Sequence, residues 1–235
     1  MAAATDDVLT LAIDIGGSGL KMLTLDANGE ALTERLRVAT PKKATPEAVL
    51  KVLDDMIAKH GAFDRISVGF PGVVTGGVIF TAVNLDKTWL GFDLAKALGE
   101  RTGRPVRVAN DADVQGLGVV EGRGVELVLT LGTGMGSALF VNGRLVPNLE
   151  IGHHPFRKDR TYEDLVGDAA LKKIGAERWS RRVRKAIDAL EETFNYRLLY
   201  LGGGNAEKLE TELPKNVKIV SNLAGLLGGI ALWRD

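Results

Sequence analysis

The sequence predicts an α/β fold built twice over, each half a mixed sheet with helices on its faces. Three observations carry this: two apolar runs broken by glycine-rich turns, an alignment of those two segments with each other, and strand-like runs that alternate with helical ones. The first segment is Leu11 to Asp26, LAIDIGGSGLKMLTLD, and reads as strand, tight turn, strand. The second is Leu127 to Val141, LVLTLGTGMGSALFV. Setting Asp14 over Thr130 places Gly16 over Gly132, superimposes the apolar runs, and brings both segments to an Asn-Gly turn, Asn28-Gly29 and Asn142-Gly143. This agreement reads as a diverged duplication. Because the leading hairpins are antiparallel while later strands alternate with helices, each sheet is expected to be mixed.

The remaining elements follow in order. A third strand is expected around Ala31 to Val38. Thr45-Pro46-Glu47 starts a helix, with Thr as cap and Pro at the first helical position. Val49, Val52, Leu53, Met56 and Ile57 form its buried stripe, and His60-Gly61 ends it. Ile66 to Phe70 is a short buried strand, followed by a glycine-rich loop from Val73 to Asp86 with an edge hairpin at Val78 to Thr81. Phe92 to Arg101 is a helix, Val106 to Ala109 a strand, and Asn110-Asp111-Ala112-Asp113 turns into a helix that ends near Glu121-Gly122. Glu150 to Arg160 reads as a polar loop without regular structure. Tyr162 to Ile174 and Ala176 to Thr193 are helical, Leu198 to Leu201 and Val217 to Val220 are strands, and a tail helix closes the chain. The expected lobes are residues 1–109, onto which the tail 222–235 packs back, and residues 110–221, with a cleft and a shared hinge between them.

At 235 residues the chain can bury a substantial core, and 45% hydrophobic with 26% charged residues is ordinary for a globular protein. Lys plus Arg equals Asp plus Glu at 30 each, so no global field draws nucleic acid or an acidic membrane. The absence of cysteine excludes disulfides, thiolate zinc sites and a cysteine nucleophile, and fits a reducing compartment. The first ten residues, MAAATDDVLT, hold two acids where a signal peptide needs a basic and then an apolar region, so a cytoplasmic protein is expected. The apolar stretch Leu223 to Trp233 is too short to span a bilayer.

Chemistry concentrates in a few places. Gly16, Gly17, Ser18 and Gly132, Thr133, Gly134 lack or nearly lack bulk, so their backbone N–H groups can crowd an anion, and the pair can grip a polyanionic donor. Asp14 at the mouth of the first turn suits Mg²⁺ held through water. Neither turn matches the Walker or dinucleotide pattern, and either alone could be an ordinary hairpin. On position alone Asp111 is first of all a helix cap, but it also suits a general base taking the proton of an attacking hydroxyl, with Asn110 bonding the same acceptor. Glu150, His153, His154 and Glu163 form a polar cluster whose spacing is wrong for zinc; it is either solvated loop or sugar site, since carboxylates accept bidentate bonds from vicinal hydroxyls. Arg178, Arg181, Arg182 and Lys185 fall at i, i+3, i+4 and i+7 and make a basic stripe, either a solvated face or a track for a long polyanion. Lys42-Lys43 is a weaker site of that kind. Gly202-Gly203-Gly204 after a strand lets a flat group such as adenosine approach the backbone.

Asp14-Ile15-Gly16-Gly17 with Lys21, Asn110-Asp111-Ala112, Leu131-Gly132-Thr133-Gly134-Met135-Gly136, Glu150-Ile151-Gly152-His153 and Leu201-Gly202-Gly203-Gly204 stand in the order of ROK-family sugar kinases, of the actin/hexokinase superfamily. The chain resembles that family over nearly its whole length. Within it, Phe70-Pro71-Gly72-Val73-Val74, Asn84-Leu85-Asp86-Lys87 with Trp89, Glu150 to Pro155, and Phe194-Asn195-Tyr196 running into Leu199 to Asn205 resemble the branch of polyphosphate glucokinases and glucomannokinases. The resemblance implies a two-lobed actin-like ATPase, or ribonuclease H-like, fold, usually a homodimer, that transfers a phosphoryl group from polyphosphate or ATP to the 6-hydroxyl of glucose or mannose. It implies Asp111 as base, Asn84, Asn110, Glu150, His153 and Glu163 as sugar ligands, and Asp14 near Mg²⁺, with Lys21 in the phosphate site. Most kinases of the family carry a cysteine cluster for structural zinc after the Glu-x-Gly-His motif. None is present here, so zinc is not implied, and Pro155, Phe156 and Tyr162 are expected to hold the loop. The family's repressors carry an N-terminal DNA-binding module, for which the first strand, beginning by Val8, leaves no room. Two other readings are a sugar-binding regulator, which needs neither Asp14 nor Asp111, and an actin-type nucleotide or polyphosphate module, which has no use for Glu150-Ile151-Gly152-His153. An ATP-only kinase for another hexose or an N-acetylhexosamine is a third.

Overall fold

The computed structural model describes residues 8–221 and 224–234. The chain forms two compact units, one running to Gly118 and resuming at Gly225, the other Val119–Ala224. Residues 222, 223 and 235 of the expected tail lie outside the described residues.

The first unit contains β1 (Thr10–Ile15), β2 (Leu20–Leu25), β3 (Leu36–Val38), α1 (Pro46–Ile57), β4 (Arg65–Phe70), the short pair β5 (Val74–Thr75) and β6 (Val78–Ile79), α2 (Leu94–Thr102), β7 (Val106–Asn110) and α3 (Asp111–Leu117). Its main sheet has the order β3-β2-β1-β4-β7. The first three strands are antiparallel, and β4 and β7 run parallel to β1. Period-two alternation sorts the side chains of β1 and β4 onto two faces. Leu11, Ile13 and Ile15 join Ile66, Val68 and Phe70 in a core with Val49, Leu53 and Met56 of α1. Each such side chain, fully buried, contributes about 1.5–3 kcal/mol. Trp89 fills the far side of this core and donates its indole N–H to Ala44 O at 2.8 Å. The opposite face carries small or polar residues, Ala12 and Asp14 of β1 and Ser67 and Gly69 of β4, so other backbone can come close there.

The second unit contains β8 (Val125–Leu131), β9 (Met135–Val141), β10 (Arg144–Val146), β11 (Pro155–Arg157), β12 (Arg160–Thr161), α4 (Tyr162–Val166), α5 (Asp168–Ile174), α6 (Ala176–Phe194), β13 (Leu198–Gly202) and β14 (Val217–Ile219). Its main sheet, β10-β9-β8-β13-β14, repeats the first: an antiparallel trio continued by two parallel strands. The expected superposition of Asp14 on Thr130 holds at the level of pairing, for Asp14 lies opposite Gly69 on the parallel neighbour and Thr130 lies opposite Gly202. Leu127, Leu129, Leu199 and Leu201 meet Trp179, Val183, Ile187 and Leu190 of α6 in a second core.

Several boundaries differ from expectation, each for a local reason. The division of the chain falls after α3, not at Asn110, because α3 packs on β4 and β7 of the first unit. Asn110, not Asp111, caps α3: its side chain accepts from the N–H of Ala112 and Asp113, and the helix stops at Gly118 instead of reaching Glu121. Helix α1 ends at Ile57, ahead of His60-Gly61. The expected helix of Tyr162 to Ile174 breaks into α4 and α5 at Gly167, which is extended (φ −71°, ψ 173°), and Asp168 N–H donates to Gly132 O at 3.0 Å instead of continuing the helix. Glu150 to Arg160 is not irregular: a 3-10 turn at Ile151–His153 leads into the hairpin β11-β12. That hairpin turns at Lys158-Asp159, both at positive φ (51° and 56°), a pair without the Gly or Asn that marks such turns. The tail is a short helix, α7 (Ala224–Leu227), and a 3-10 stretch, Gly228–Trp233, in place of one continuous α-helix.

Candidate functional site

In the first unit the candidate residues gather at the carboxyl ends of the parallel strands β1, β4 and β7, where open α/β sheets bind ligands. Asp14 is the penultimate residue of β1 and accepts from Lys21 Nζ at 2.6 Å, across the hairpin. The turn that follows is closed by Gly16 N–H donating to Gly19 O at 3.0 Å, and Thr40 Oγ1 donates to Gly16 O at 2.5 Å. Gly17 and Ser18 form its exposed tip. Asn84 lies against this tip, since a Cβ on Gly17 would come 3.2 Å from the Asn84 Cβ. Gly69 of β4 pairs with Asp14 on one side and Ala109 on the other, and a Cβ on it would come 3.4 Å from Asp111 Cα. The missing side chain lets Asp111 settle directly on the sheet. Asp111 is the first residue of α3, half-buried, with Oδ1 accepting from Ala112 N–H at 2.8 Å. Asn110 is buried; its amide nitrogen donates to Gly72 O at 3.1 Å while its oxygen caps α3.

In the second unit the site is built on the second glycine turn. Gly132 N–H donates to Gly134 O at 3.1 Å, and Thr133 is the exposed tip. Glu163, from the first turn of α4, accepts from Met135 N–H at 3.1 Å. Gly134 makes this possible, because a Cβ there would fall 2.0 Å from Glu163 Oε2. His153 lies between two carboxylates, its Nδ1 3.5 Å from Glu150 and its Nε2 3.8 Å from Glu163. Burial pushes the Glu150 carboxyl above its ordinary pKa; His153 opposes this and the charge of Glu163 adds to it. Glu150 therefore takes up a proton at higher pH than a solvated glutamate. The cluster is polar, convergent and open to solvent on one side, which suits a ligand rich in hydroxyls. His154 takes no part: it is exposed, with Nδ1 2.9 Å from Pro155 O. The expected packing of the following loop is present, with the Phe156 and Tyr162 rings stacked at 4.2 Å.

Some features were not marked in the sequence. Ser137, buried in β9, bridges Leu149 O and Ile151 N–H and so pins the backbone on both sides of Glu150; the only sign of it is a hydroxyl on an inward strand position. Asn205 donates from its backbone to Leu131 O at 2.9 Å and from its side chain to Gly132 O at 3.2 Å, tying the end of β13 to the glycine turn. Gly203, with φ +85°, is glycine because a Cβ would stand 2.3 Å from Leu131 O, so the side on which a side chain would stand is taken by the chain's own backbone. Gly202 is buried, and Gly204 is the exposed member of the three. On α6, Arg178 and Lys185 are exposed, Arg182 is half-buried, and Arg181 is tied to Glu177 at 2.6 Å.

A substitution at the second glycine turn tests whether Glu163 belongs to a ligand site, at little cost to the fold. In Gly134→Ala the new methyl meets the mobile end of Glu163, which swings off Met135 N–H. Loss of that bond costs about 1 kcal/mol of stability. The KM for a sugar acceptor is expected to rise about tenfold, equivalent to roughly 1.4 kcal/mol. An unchanged KM would take Glu163 out of the site.

Residues 10–162 match the ROK family. The chain is 34% identical over 232 residues to a polyphosphate glucokinase of Mycobacterium tuberculosis, covering 92% of this chain and 88% of that one. Among solved structures, the inorganic polyphosphate/ATP-glucomannokinase of Arthrobacter sp. strain KM is similar with a TM-score of 0.87 and 35% identity, covering 96% and 98% of the two chains. A ROK-family glucokinase of Streptomyces griseus, solved with glucose and AMPPNP, shares the fold with a TM-score of 0.82 at 20% identity, covering 95% and 98%.

Proposed function

This chain belongs to the ROK family, and we propose that it is a phosphotransferase that moves a phosphoryl group from inorganic polyphosphate or ATP to the 6-hydroxyl of glucose, with mannose as a second acceptor. The observation that carries this reading is Asp111, held half-buried over Gly69 at the carboxyl ends of three parallel strands, in a chain similar over nearly its full length to polyphosphate-using sugar kinases. Glu150, His153 and Glu163 accept and donate hydrogen bonds to the sugar hydroxyls, and Asn84 and Asn110 add theirs beside the base. Asp111 takes the 6-hydroxyl proton as that oxygen attacks the terminal phosphorus. The bond from phosphorus to the bridging oxygen breaks, and the shortened polyphosphate, or ADP, leaves with the electron pair. Lys21 and the glycine turns Gly16 to Ser18 and Gly132 to Gly134 are assigned to the phosphates of the donor, and Gly202 to Gly204 to the donor as well; the N–H groups of Gly16 and Gly132 close their own turns, which leaves the turn tips for the anion.

Mg²⁺ fits the donor set. No group of three or more potential metal ligands occurs among the described residues, and Asp14 is a single half-exposed carboxylate. One carboxylate plus water and donor phosphates is the usual Mg²⁺ environment. Bound there, the ion would neutralise phosphate oxygens during transfer. No helix among the described residues is long and apolar enough to cross a membrane, in keeping with a cytoplasmic enzyme, and we take the assembly to be a homodimer.

Incubating the protein with glucose and Mg²⁺, with ATP and polyphosphate in separate reactions, tests the function. Glucose 6-phosphate from either donor is the expected product, and none from both would refute the reading. The stripe on α6 is assigned to polyphosphate. Neutralising Arg181, Arg182 and Lys185 together is expected to raise the KM for polyphosphate on the order of tenfold, in a salt-dependent way, and to spare ATP. An equal effect on both donors would make the stripe a solvated face.

A further inference from the structure

The helix that bears Asp111 cannot hold itself in place. It has seven residues, too few for an isolated helix, and Gly116 within it costs about 1 kcal/mol relative to Ala. Its position must come from what packs on it. On one side this is Gly69 of β4, under Asp111. On the other it is the tail: a Cβ on Gly228 would stand 1.8 Å from Val114 O and 3.0 Å from Gly118 N, so the tail backbone lies directly against α3. Gly229 makes the same close approach to the sheet, where a Cβ would come 3.0 Å from Ser67 Cβ and 3.4 Å from Ala12 Cβ.

Buried Leu226 and Ile230 hold the tail to the body, and polar contacts centred on Trp233 fasten its end. Trp233 donates its indole N–H to Ser67 Oγ at 2.8 Å, and the same buried hydroxyl donates to Gly229 O at 2.7 Å. Two guanidinium groups lie over the ring, with Arg65 at 5.0 Å and Arg107 at 4.6 Å from the ring centroid, and Arg107 also donates to Leu232 O. Cation–π contacts of this kind contribute attraction and offset part of the repulsion that Arg107 exerts on Arg65. The anchor and the base thus lie on one face of one sheet: Ser67 fastens Trp233, and Gly69, two residues further along β4, supports Asp111.

We propose that Trp233 is a positioning residue for phosphoryl transfer: by fastening Gly228–Trp233 to Ser67, Arg65 and Arg107, it presses Gly228 against α3 and fixes Asp111 toward the acceptor hydroxyl. The inference rests on Asp111 being the base. A displacement on the order of 1 Å at a reacting group costs up to about 10²-fold in rate, so release of the tail acts on turnover more than on binding.

The test uses the full chain carrying Trp233→Ala, Trp233→Phe or Ser67→Ala, with Asp111→Asn as control. For each, kcat and both KM values are measured well below the melting temperature and referred to the folded fraction, together with amide exchange across residues 111–117 and 225–234. Trp233→Ala is expected to exchange faster in both segments and to lose about 10-fold to 100-fold in kcat, with KM values for glucose and donor within about twofold. Trp233→Phe, which keeps an aromatic ring under the two arginines, is expected to restore most of the turnover. Ser67→Ala, which removes both hydroxyl bonds and little volume, is expected to show the same kcat-selective loss in milder form; it decides the matter if Trp233→Ala does not fold. Fast exchange of the tail with kcat per folded molecule unchanged would overturn the proposal, as would equal losses in kcat and affinity. Near-normal kcat in Asp111→Asn would instead refute the assignment of the base, so the two failures are told apart.

Discussion

Asp111→Asn is expected to lower kcat for glucose phosphorylation on the order of 10²–10⁴-fold, the usual contribution of a positioned general base. In barrier height this is about 2.7–5.5 kcal/mol. The substitution is close to isosteric, and the amide oxygen can still accept from Ala112 N–H as Oδ1 does at 2.8 Å. The helix keeps its cap, because Asn110 and not Asp111 supplies it. Only the favourable interaction of a first-turn carboxylate with the helix dipole is lost, about 0.3–1 kcal/mol. The variant is therefore expected to melt close to the parent and to bind glucose with a similar KM, while an amide cannot take up the proton. A purely structural Asp111 would give the opposite result, with a small loss of stability and normal turnover. Steady-state kinetics with a melting curve on the same preparation separates the two, and near-parental kcat would remove Asp111 from the mechanism.

How much of this was legible in the sequence depends on how local the cause is. The two glycine hairpins could be read and aligned because strand alternation and turn chemistry act over a few residues, and the pairing of Asp14 with Gly69 and of Thr130 with Gly202 repeats that alignment. The cap of α1 by Thr45 was legible for the same reason. Long-range packing was not. The run Gly202-Gly203-Gly204 does not show that Leu131 stands where a side chain on Gly203 would be. Gly167 gives no hint that the N–H after it is taken by Gly132 O, far earlier in the chain, where the helix breaks. The turn at Lys158-Asp159 carries no glycine or asparagine, so the hairpin β11-β12 was hidden in a polar loop. Arg181 belongs to a basic stripe by spacing, yet its charge is balanced by Glu177 one turn earlier. The anchor of the tail joins Trp233 to Ser67 across 166 residues, a pairing no periodicity encodes.

The largest expected effect on stability lies outside the site, at Glu126. Its side chain is fully buried in β8, and both oxygens are engaged. Oε2 accepts from the N–H of Gly122 at 2.8 Å and of Arg123 at 2.9 Å. Oε1 accepts from Glu121 N–H at 2.9 Å, Tyr200 OH at 2.8 Å and Arg197 Nη2 at 3.2 Å. Burial raises the pKa of this carboxyl, but the hydrogen bonds together outweigh it and hold the group below the ordinary glutamate value. Glu126→Ala strands these donors and is expected to cost about 3–5 kcal/mol, as breaking a buried charged pair does. Glu126→Gln is not silent either, because whichever way the amide turns its NH₂ group faces donors. Tyr200→Phe, which removes a single hydrogen bond, calibrates the series at about 1 kcal/mol. The pH dependence has a definite sign. A carboxyl whose folded pKa lies below its unfolded one contributes stability that is complete above the unfolded value and is lost as pH falls through the folded one. The parent should therefore lose stability as pH drops below 4.5, the ordinary value for glutamate, and Glu126→Gln should lose less over the same range. Urea unfolding at neutral and acid pH measures both effects, and a Glu126→Gln variant as stable as the parent with the same acid profile would show that the hydrogen bonds to this carboxylate do not hold β8 to the loop before it.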